Sequence, residues 1–458
     1  MDRLAAHASS LAGGRDKPVR AELAQLLKLS GPVVIARLGI MAMGLSDAIV
    51  VGRYSAVQLG YHALAWAPTS VVVTMSVGLL LGVQVMTARA VGEGRRDKAG
   101  AVLRRGLVYS LWIGLVSALV LALGGPAFLH AIGLGRDLAD GATPPLMIFC
   151  LSLPGYAVSV AAAFWMEGLA RPGPAAWIMW IANGVNLALD LLLVPGTFGL
   201  PALGAMGGAW ATTGARTFLA VATLAYIALM PEARALGVFD KPTRDRAAEA
   251  EQRRIGLGAG VSNAFEVASF ASMNIIAGWI GGLAVAAWTA VLNVAAIVFM
   301  APLGLSTAAA VRVGRAYGAR DPVGVNRAGA LAFAVTAAFG AIATAIVWPS
   351  AALIAPGYTG NAATLAMAIP ALALSSLMYV PDALQVVAAQ SLRARGDVWL
   401  PTGTHLTSYV LIMMPLAWWL AIPQHMGIRG MVLAVIFASC VSGGLLLARF
   451  WMLARRDG

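Results

Sequence analysis

The chain has 458 residues, of which 60% are hydrophobic and only 11% are charged. A soluble domain carries roughly 25% charged residues, so the composition excludes an ordinary soluble protein and indicates a chain embedded in a membrane. Only four lysines occur, and no GxxxxGKS or GxxxxGKT loop is present, which excludes a pump driven by nucleotide hydrolysis.

Apolar runs of about 20 residues recur along the whole chain, and this length suits a bilayer core roughly 30 Å thick. Irregular backbone and open sheet edges cannot face lipid, so the runs predict helices and an all-α fold. In chain order, the twelve predicted transmembrane helices cover residues 29–53, 63–88, 104–130, 143–166, 174–196, 203–230, 255–281, 285–310, 327–354, 363–391, 402–422 and 427–452.

The twelve spans divide into two sets of six. We expect a cytoplasmic N-terminal segment (1–28), an N-lobe (29–230), a cytoplasmic linker (231–254), a C-lobe (255–452) and a cytoplasmic tail (453–458). Two six-helix lobes naturally enclose a central cleft that can open toward either side of the membrane.

Positive charge is concentrated on one side of the predicted spans. The net charge is +12, and 27 of the 32 Lys and Arg residues fall in segments on the side of the N-terminus. This is the positive-inside signature, and it predicts cytoplasmic termini in a multi-pass protein of the inner (cytoplasmic) membrane. The basic residues are dispersed among the loops, so we expect no nucleic-acid partner.

A short motif recurs at a fixed distance in the two halves. Arg89-Ala90-Val91-Gly92 returns as Arg315-Ala316-Tyr317-Gly318, 226 residues later, and Ala162-Ala163 returns as Ala388-Ala389 at the same offset. Because six spans separate the copies, both halves enter the membrane in the same orientation. The pattern predicts two pseudo-symmetric lobes related by an axis along the membrane normal.

Four carboxylates lie well inside predicted spans: Asp47, Asp190, Glu266 and Asp382. A charge in lipid costs several kcal/mol, so these groups should face the interior of the bundle or a water-filled cavity. There a carboxylate can hold a proton near neutral pH, or a Na⁺ ion with the help of other oxygen ligands. An organic cation can compete for the same negative charge, which is the simplest chemistry for antiport.

Polar side chains accompany these acids. Asn186 lies four residues before Asp190, on the same helix face, and Asn183 lies one turn earlier. Asn263 precedes Glu266 by three residues, and Gln385 follows Asp382 by three. Two arginines, Arg37 and Arg216, also fall in spans; we expect Arg37 to extend toward the cytoplasmic face and Arg216 to pair with an acid inside the membrane.

The motifs around these acids point to one family. They are Met43-Gly44-Leu45-Ser46-Asp47 in the first span, Phe265-Glu266-Val267 in the seventh, Val311-Arg312-Val313-Gly314 after the eighth, and, in the tenth, Asp382-Ala383-Leu384-Gln385-Val386-Val387-Ala388-Ala389 with Ser391-Leu392-Arg393 after it. From about residue 24 to 452, the chain resembles the multidrug and toxic compound extrusion (MATE) family, particularly its NorM-like branch.

The resemblance implies residue roles. Asp47, Asn186 and Asp190 match an N-lobe cation or proton site, with Thr212 lining the same pocket. Glu266 and Asp382 match a C-lobe cation site, near which Asn293, Gln385 and Tyr379 are polar or aromatic neighbours. Na⁺ could therefore be held either by Glu266 and Asp382 or by Asp47, Asn186 and Asp190.

The resemblance also implies secondary active efflux of cationic or amphipathic organic molecules against H⁺ or Na⁺, by alternating access. Such a carrier is not an enzyme, needs no cofactor beyond the coupling ion, sits among membrane lipids and can work as a monomer. The alternative is a flippase for lipid-linked oligosaccharide or another lipid, whose anionic substrate calls for several basic residues in the cavity. A prenyl transferase needs closely paired aspartates, and a channel needs a ring of acids; neither pattern occurs within the spans.

Overall fold

The computed structural model describes residues 19–131, 135–241 and 245–457, and over these residues the chain is nearly all helical. Most of the predicted N-terminal segment, part of the predicted linker and the last residue therefore lie outside the described residues. The helices are α1 (Val19–Tyr54), α2 (Ala56–Gly92), α3 (Ala99–Ala131), α4 (Arg136–Gly168), α5 (Gly173–Leu193), α6 (Ala205–Leu229), α7 (Arg246–Ile280), α8 (Gly282–Gly318), α9 (Pro322–Ile354), α10 (Ala362–Ala394), α11 (residues 399–421) and α12 (Gly427–Asp457).

The twelve helices confirm the predicted all-α fold, although their bounds differ from the predicted spans. Helix α1 begins at Val19 and α7 at Arg246, so each extends about two turns or more beyond the apolar run that predicts it. Ten of the twelve are long and apolar enough to cross a membrane by composition alone. The two others, α7 and α11, carry the polar residues that their neighbours in the bundle bury, including Ser262 and His405.

Helix α11 is not a regular α-helix. It consists of Trp399–His405, a π-helical segment over Leu406–Met413, and Met414–Ala421. Helix α10 similarly contains a 3₁₀ turn at Ser376–Met378. Such wider or tighter turns change the direction in which side chains point and are frequent at functional sites. Both irregular segments lie beside Asp382.

The ends of the helices repeat at the same offset as the sequence motif. Gly94, after α2, and Arg320, after α8, both adopt a left-handed conformation, with φ of 76° and 55°. Ala170, after α4, and Gly396, after α10, do the same, with φ of 58° and 94°. In each case the following amide closes the helix in the same way, as Arg95 N donates to Ala90 O and Asp321 N donates to Ala316 O. The two halves therefore share backbone conformation at these turns, even where their residues differ.

Each lobe has its own apolar core. In the N-lobe, buried side chains of α2, α3, α4 and α6 pack around Phe149 and Trp165. In the C-lobe, one cluster surrounds Trp288 and Tyr409, and a second packs around Phe450 and includes Leu26 from the beginning of α1. The beginning of α1, the first helix of the N-lobe, thus packs with helices of the C-lobe.

The lobes meet through α1 and α2 on one side and α7 and α8 on the other. Small residues permit the contact: Gly78 lies against Gly260, and Gly82 lies against the backbone of Gln252. Gly92 lies against the carbonyl group of Arg315, and its repeat equivalent Gly318 lies against the carbonyl group of Arg89. The two copies of the repeated motif therefore pack on each other reciprocally, as a pseudo-two-fold axis between the lobes requires.

The face of the bundle that carries the ends of α2 and α8 and the beginnings of α1, α3 and α7 is here called the basic face. A cavity of 1570 Å³ opens there, between the loops, and both basic and acidic side chains line it. The segment after α6 is attached to this face through an ion pair of Arg171 with Glu232, 2.5 Å between Nη1 and Oε2. The Arg171 guanidinium lowers the pKa of Glu232 through this hydrogen bond.

Candidate functional site

The N-lobe acids form one enclosed cluster, built by α1, α5 and α6. Asp47 is 4% exposed, and its Oδ2 accepts a hydrogen bond of 2.6 Å from Thr212 Oγ1. Ser46 Oγ, beside Asp47, donates to Asn186 Oδ1 at 3.2 Å. The carboxyl group of Asp190, one turn along α5 from Asn186, is the direct electrostatic neighbour of Asp47. The structure thus brings together Asp47, Asn186, Asp190 and Thr212.

This cluster has unused polar atoms. Both carboxyl oxygens of Asp190, Oδ1 of Asp47 and Nδ2 of Asn186 are buried without a hydrogen-bond partner among the described residues. Buried polar groups in native proteins are almost always satisfied, so such atoms call for a ligand that completes the site. Two neighbouring carboxylates repel each other, and a proton or a hard cation between them removes the repulsion.

Arg216 lies beside the same cluster, one turn along α6 from Thr212. Its Nη1 donates to Ser152 Oγ at 2.7 Å, and its guanidinium stacks over Tyr156 and Trp66, 4.7 Å and 5.1 Å from their ring centroids. It interacts electrostatically with Asp47. The expected pairing of Arg216 with an intramembrane acid is therefore an electrostatic interaction with Asp47. Ser152 and the two aromatic rings hold the guanidinium in place.

The C-lobe acids lie between α7, α10, α11 and α12. Asp382 Oδ1 accepts hydrogen bonds of 3.4 Å from Tyr409 Oη and from Ser439 Oγ. Glu266 is its electrostatic neighbour. Unlike the N-lobe pair, both C-lobe acids keep some solvent-accessible area and are half-buried. Tyr409 lies within the π-helical segment of α11.

A buried arginine accompanies the C-lobe acids as well. Arg393 Nη2 donates to Ser262 Oγ at 2.8 Å, and Ser262 is one turn before Glu266 on α7. Ser262 also hydrogen-bonds His405 Nδ1, at 3.0 Å. Arg393 lies just beyond the predicted tenth span (363–391), but in the structure it belongs to the last turn of α10 and is 3% exposed.

Several predicted helpers lie apart from the acids. Asn183 donates to the carbonyl group of Met179 within its own helix, and Asn263 donates to Thr74 O of α2, across the lobe interface. Asn293 is exposed on α8. Gln385 and Tyr379, in contrast, are buried near Asp382, and Gln385 interacts with the Asp382 carboxylate.

Sequence reasoning missed a fifth intramembrane acid. Glu167, just beyond the end of the predicted fourth span, is buried in the last turn of α4. Gln84 Nε2 donates to its Oε2 at 2.6 Å, and Arg37 Nη2 lies 3.8 Å from its Oε1. Arg37 therefore pairs with Glu167 in the last turn of α4. Nothing in the local sequence marks Glu167, because it follows directly after the predicted fourth span.

Histidines are further residues that the sequence reasoning did not include. His62 of α2 is buried against Phe149, interacts with Asp47 and has an unpartnered Nδ1. His405 packs against Tyr409 in the C-lobe. Of the five histidines in the chain, these two are buried inside helices. Among the described residues, no group of three His, Cys, Asp or Glu side chains is placed to share a metal ion.

Comparison with known proteins agrees with this architecture. The sequence profile of the MatE family matches twice, over residues 32–192 and 259–419, one match for each lobe. The chain is 61% identical to the "Probable multidrug resistance protein NorM" of Caulobacter vibrioides, over 96% of this chain and 93% of that protein. It is 28% identical to the "Multidrug resistance protein NorM" of Aliivibrio fischeri, over 95% of each chain. These names do not favour the flippase alternative, and they confirm that the relatives are not enzymes.

Solved structures share the fold. The eukaryotic MATE transporter AtDTX14 superposes with a TM-score of 0.86 at 20% identity, covering 96% of this chain and 98% of that one. An outward-facing multidrug resistance MATE family transporter superposes with a TM-score of 0.87 at 17% identity, covering 95% and 96%. Two lobes of six helices, a duplicated family match and close relatives over the full length lead to one conclusion: this chain is a multi-pass membrane protein of the MatE family.

Proposed function

We propose that the protein exports cationic or amphipathic organic molecules in exchange for H⁺ or Na⁺, by alternating access between its two lobes. The basic face is then cytoplasmic, with both termini on that side of the inner membrane. The protein works as a monomer surrounded by lipid, since one chain supplies both lobes.

The observation that carries the proposal is the pair of acid clusters inside the bundle. Asp47 and Asp190 are enclosed and carry unpartnered oxygens, while Glu266 and Asp382 are partly exposed. Carboxylate, hydroxyl and amide oxygens are suitable ligands for Na⁺, and the same carboxylates can take a proton. Two relatives carry the name multidrug resistance protein NorM, one of them as a probable assignment, which supports organic molecules as the exported substrate.

Competition for the acids couples the two movements. An organic cation entering from the cytoplasm pairs with carboxylates in the cleft, and H⁺ or Na⁺ arriving from outside takes its place. Because both ligands neutralise the same charge, they do not bind favourably together, and the protein returns inward only with the coupling ion. Thr212, Tyr409 and Ser439 hold the carboxylates in position for this exchange.

The test is ethidium export from liposomes that contain the purified protein, with an imposed pH gradient or Na⁺ gradient. We expect one gradient to drive export, and Asp47→Asn, Glu266→Gln and Asp382→Asn each to reduce the initial rate at least about tenfold, since each removes a charge that the exchange requires. Asp137→Asn is the matched control, because Asp137 is exposed in the first turn of α4. Undiminished export by all three buried-acid variants, or no export with either gradient, would refute the proposal.

A further inference from the structure

Each lobe combines two neighbouring carboxylates with one buried arginine. In the N-lobe these are Asp47, Asp190 and Arg216; in the C-lobe they are Glu266, Asp382 and Arg393. The family resemblance assigns roles to the acids but none to the arginines. Since all three groups interact through a medium of low dielectric constant, the sum of their charges decides what each site can bind.

The two arginines are held in matching ways. Arg216 donates to Ser152 at 2.7 Å and Arg393 donates to Ser262 at 2.8 Å. Arg216 is one helical turn from Thr212, which holds Asp47, and Ser262 is one turn from Glu266. In both lobes the guanidinium therefore lies about one turn from an acid, on the side of the basic face. Held by neutral hydroxyl groups, it adds charge to the site without occupying the carboxylate oxygens.

The other ionisable groups nearby leave this balance unchanged. Glu167 is already paired with Arg37. The Ser262 hydroxyl accepts from Arg393, so its hydrogen is available for His405 Nδ1, and that nitrogen accepts only when the imidazole is neutral. His62 has no partner at Nδ1 among the described residues, whereas a charged imidazolium would need an acceptor at both nitrogens.

We propose that Arg216 and Arg393 are fixed internal counter-charges that leave each acid pair with one net negative charge, so that each lobe binds a single monovalent cation at a time. Two ionised carboxylates and one guanidinium sum to minus one, and H⁺, Na⁺ or an organic monocation brings the site to neutrality. Without the arginine, the same pair would need two monovalent cations. This inference rests on the proposed antiport and specifies its charge balance.

A charge-restoration experiment tests the inference in each lobe. Asp190→Asn alone makes the N-lobe site neutral, so ethidium export should fall at least about tenfold. The double variant Asp190→Asn with Arg216→Gln returns the site to minus one, and its rate should recover to within about threefold of wild type. In the C-lobe, Glu266→Gln and Glu266→Gln with Arg393→Gln form the matching pair. A structural role for the arginines predicts the opposite order, with each double variant worse than its single.

Arg216→Lys and Arg393→Lys keep the charge and should export faster than Arg216→Gln and Arg393→Gln. Arg246→Gln, at an exposed arginine outside both sites, is the control for folding. If the Lys variants are as defective as the Gln variants, the arginines act through packing and the inference is overturned. If the acid variants are defective and the double variants are not restored, the inference fails while the proposed antiport stands. If the single acid variants export normally, the acid assignment fails and the charge balance fails with it.

Discussion

Single residues with left-handed backbone end equivalent helices in the two lobes. Ala170 after α4 and Gly396 after α10 occupy the same position of the repeat, with φ of 58° and 94°. Only glycine adopts this conformation without steric cost; for other residues it costs roughly 1 kcal/mol. The N-lobe turn thus carries a strain that the C-lobe turn lacks.

This difference predicts opposite effects of reciprocal substitutions. Ala170→Gly should raise the apparent melting temperature of the purified protein, and Gly396→Ala should lower it, each by the equivalent of about 1 kcal/mol. A Cβ at Gly396 would meet Arg89 Nη2 at 3.5 Å, an ordinary contact, so the loss would be conformational. Gly403→Ala is the control, because Gly403 is helical with open space around it. Equal responses at 396 and 403 would contradict the explanation.

For single residues, the sequence identifies the acids inside the spans but not the side chains that surround them. Asp47, Asp190, Glu266 and Asp382 are recognisable because a carboxylate in an apolar run is rare. Glu167 and Arg393 are not, because both lie in the last turn of a helix, where an apolar run ends and the residue reads as part of a loop. Their burial depends on helices from distant parts of the chain, such as α2 and α7, and local sequence carries no record of that packing.

Among the elements, α2 and α8 form the closed contact at the basic face. Arg89 Nε donates to Ala394 O at 2.9 Å, and its Nη2 donates to Arg393 O at 3.2 Å; both acceptors belong to the opposite lobe. Arg315 Nη2 donates to Gly168 O at 3.4 Å, which is the equivalent contact of the other lobe. In each lobe, an arginine therefore holds the end of a helix that belongs to the other lobe. These contacts must break before the basic face can open.

Removing the side chains of Arg89 and Arg315 should favour opening at the basic face. We expect Arg89→Ala with Arg315→Ala to shift the distance distribution between spin labels at positions 93 and 319 toward longer values, in a background with Cys150 and Cys440 replaced by alanine. Positions 93 and 319 are exposed beside the two helix ends. Arg246→Ala, an exposed arginine at the beginning of α7, should leave the distribution unchanged. A distribution identical to wild type in the double variant would show that these contacts do not hold the face closed.

The number of helices follows from the sequence more reliably than their internal geometry. Twelve apolar runs predict twelve helices because the bilayer leaves no other way to satisfy the backbone. The π-helical turn of α11 has no comparable signal, because it depends on how Tyr409 and its neighbours pack in the C-lobe core. Tyr409 lies in that segment and contacts Asp382, so this part of the site could not be predicted from hydrophobic periodicity.

For the whole molecule, duplication explains both the fold and the pair of sites. The offset of 226 residues places equivalent turns and the reciprocal Gly92 and Gly318 contacts in register, and the family profile matches once in each half. The acids do not follow the repeat: position 382 of the C-lobe corresponds to Tyr156 in the N-lobe, and Asp47 corresponds to Met273. The lobes thus share architecture while each has its own acid cluster, one enclosed and one partly exposed.

In the proposed cycle, the exported cation and the coupling ion compete for the same carboxylates. The most direct measurement is equilibrium binding of ethidium to the purified protein in detergent, titrated with Na⁺ at fixed pH and with H⁺ at fixed ionic strength. We predict that the apparent Kd of ethidium rises in proportion to the concentration of one of these ions, and that this dependence disappears when the acids for which the two ligands compete are neutralised. An ethidium Kd that stays constant across both titrations would contradict the claim.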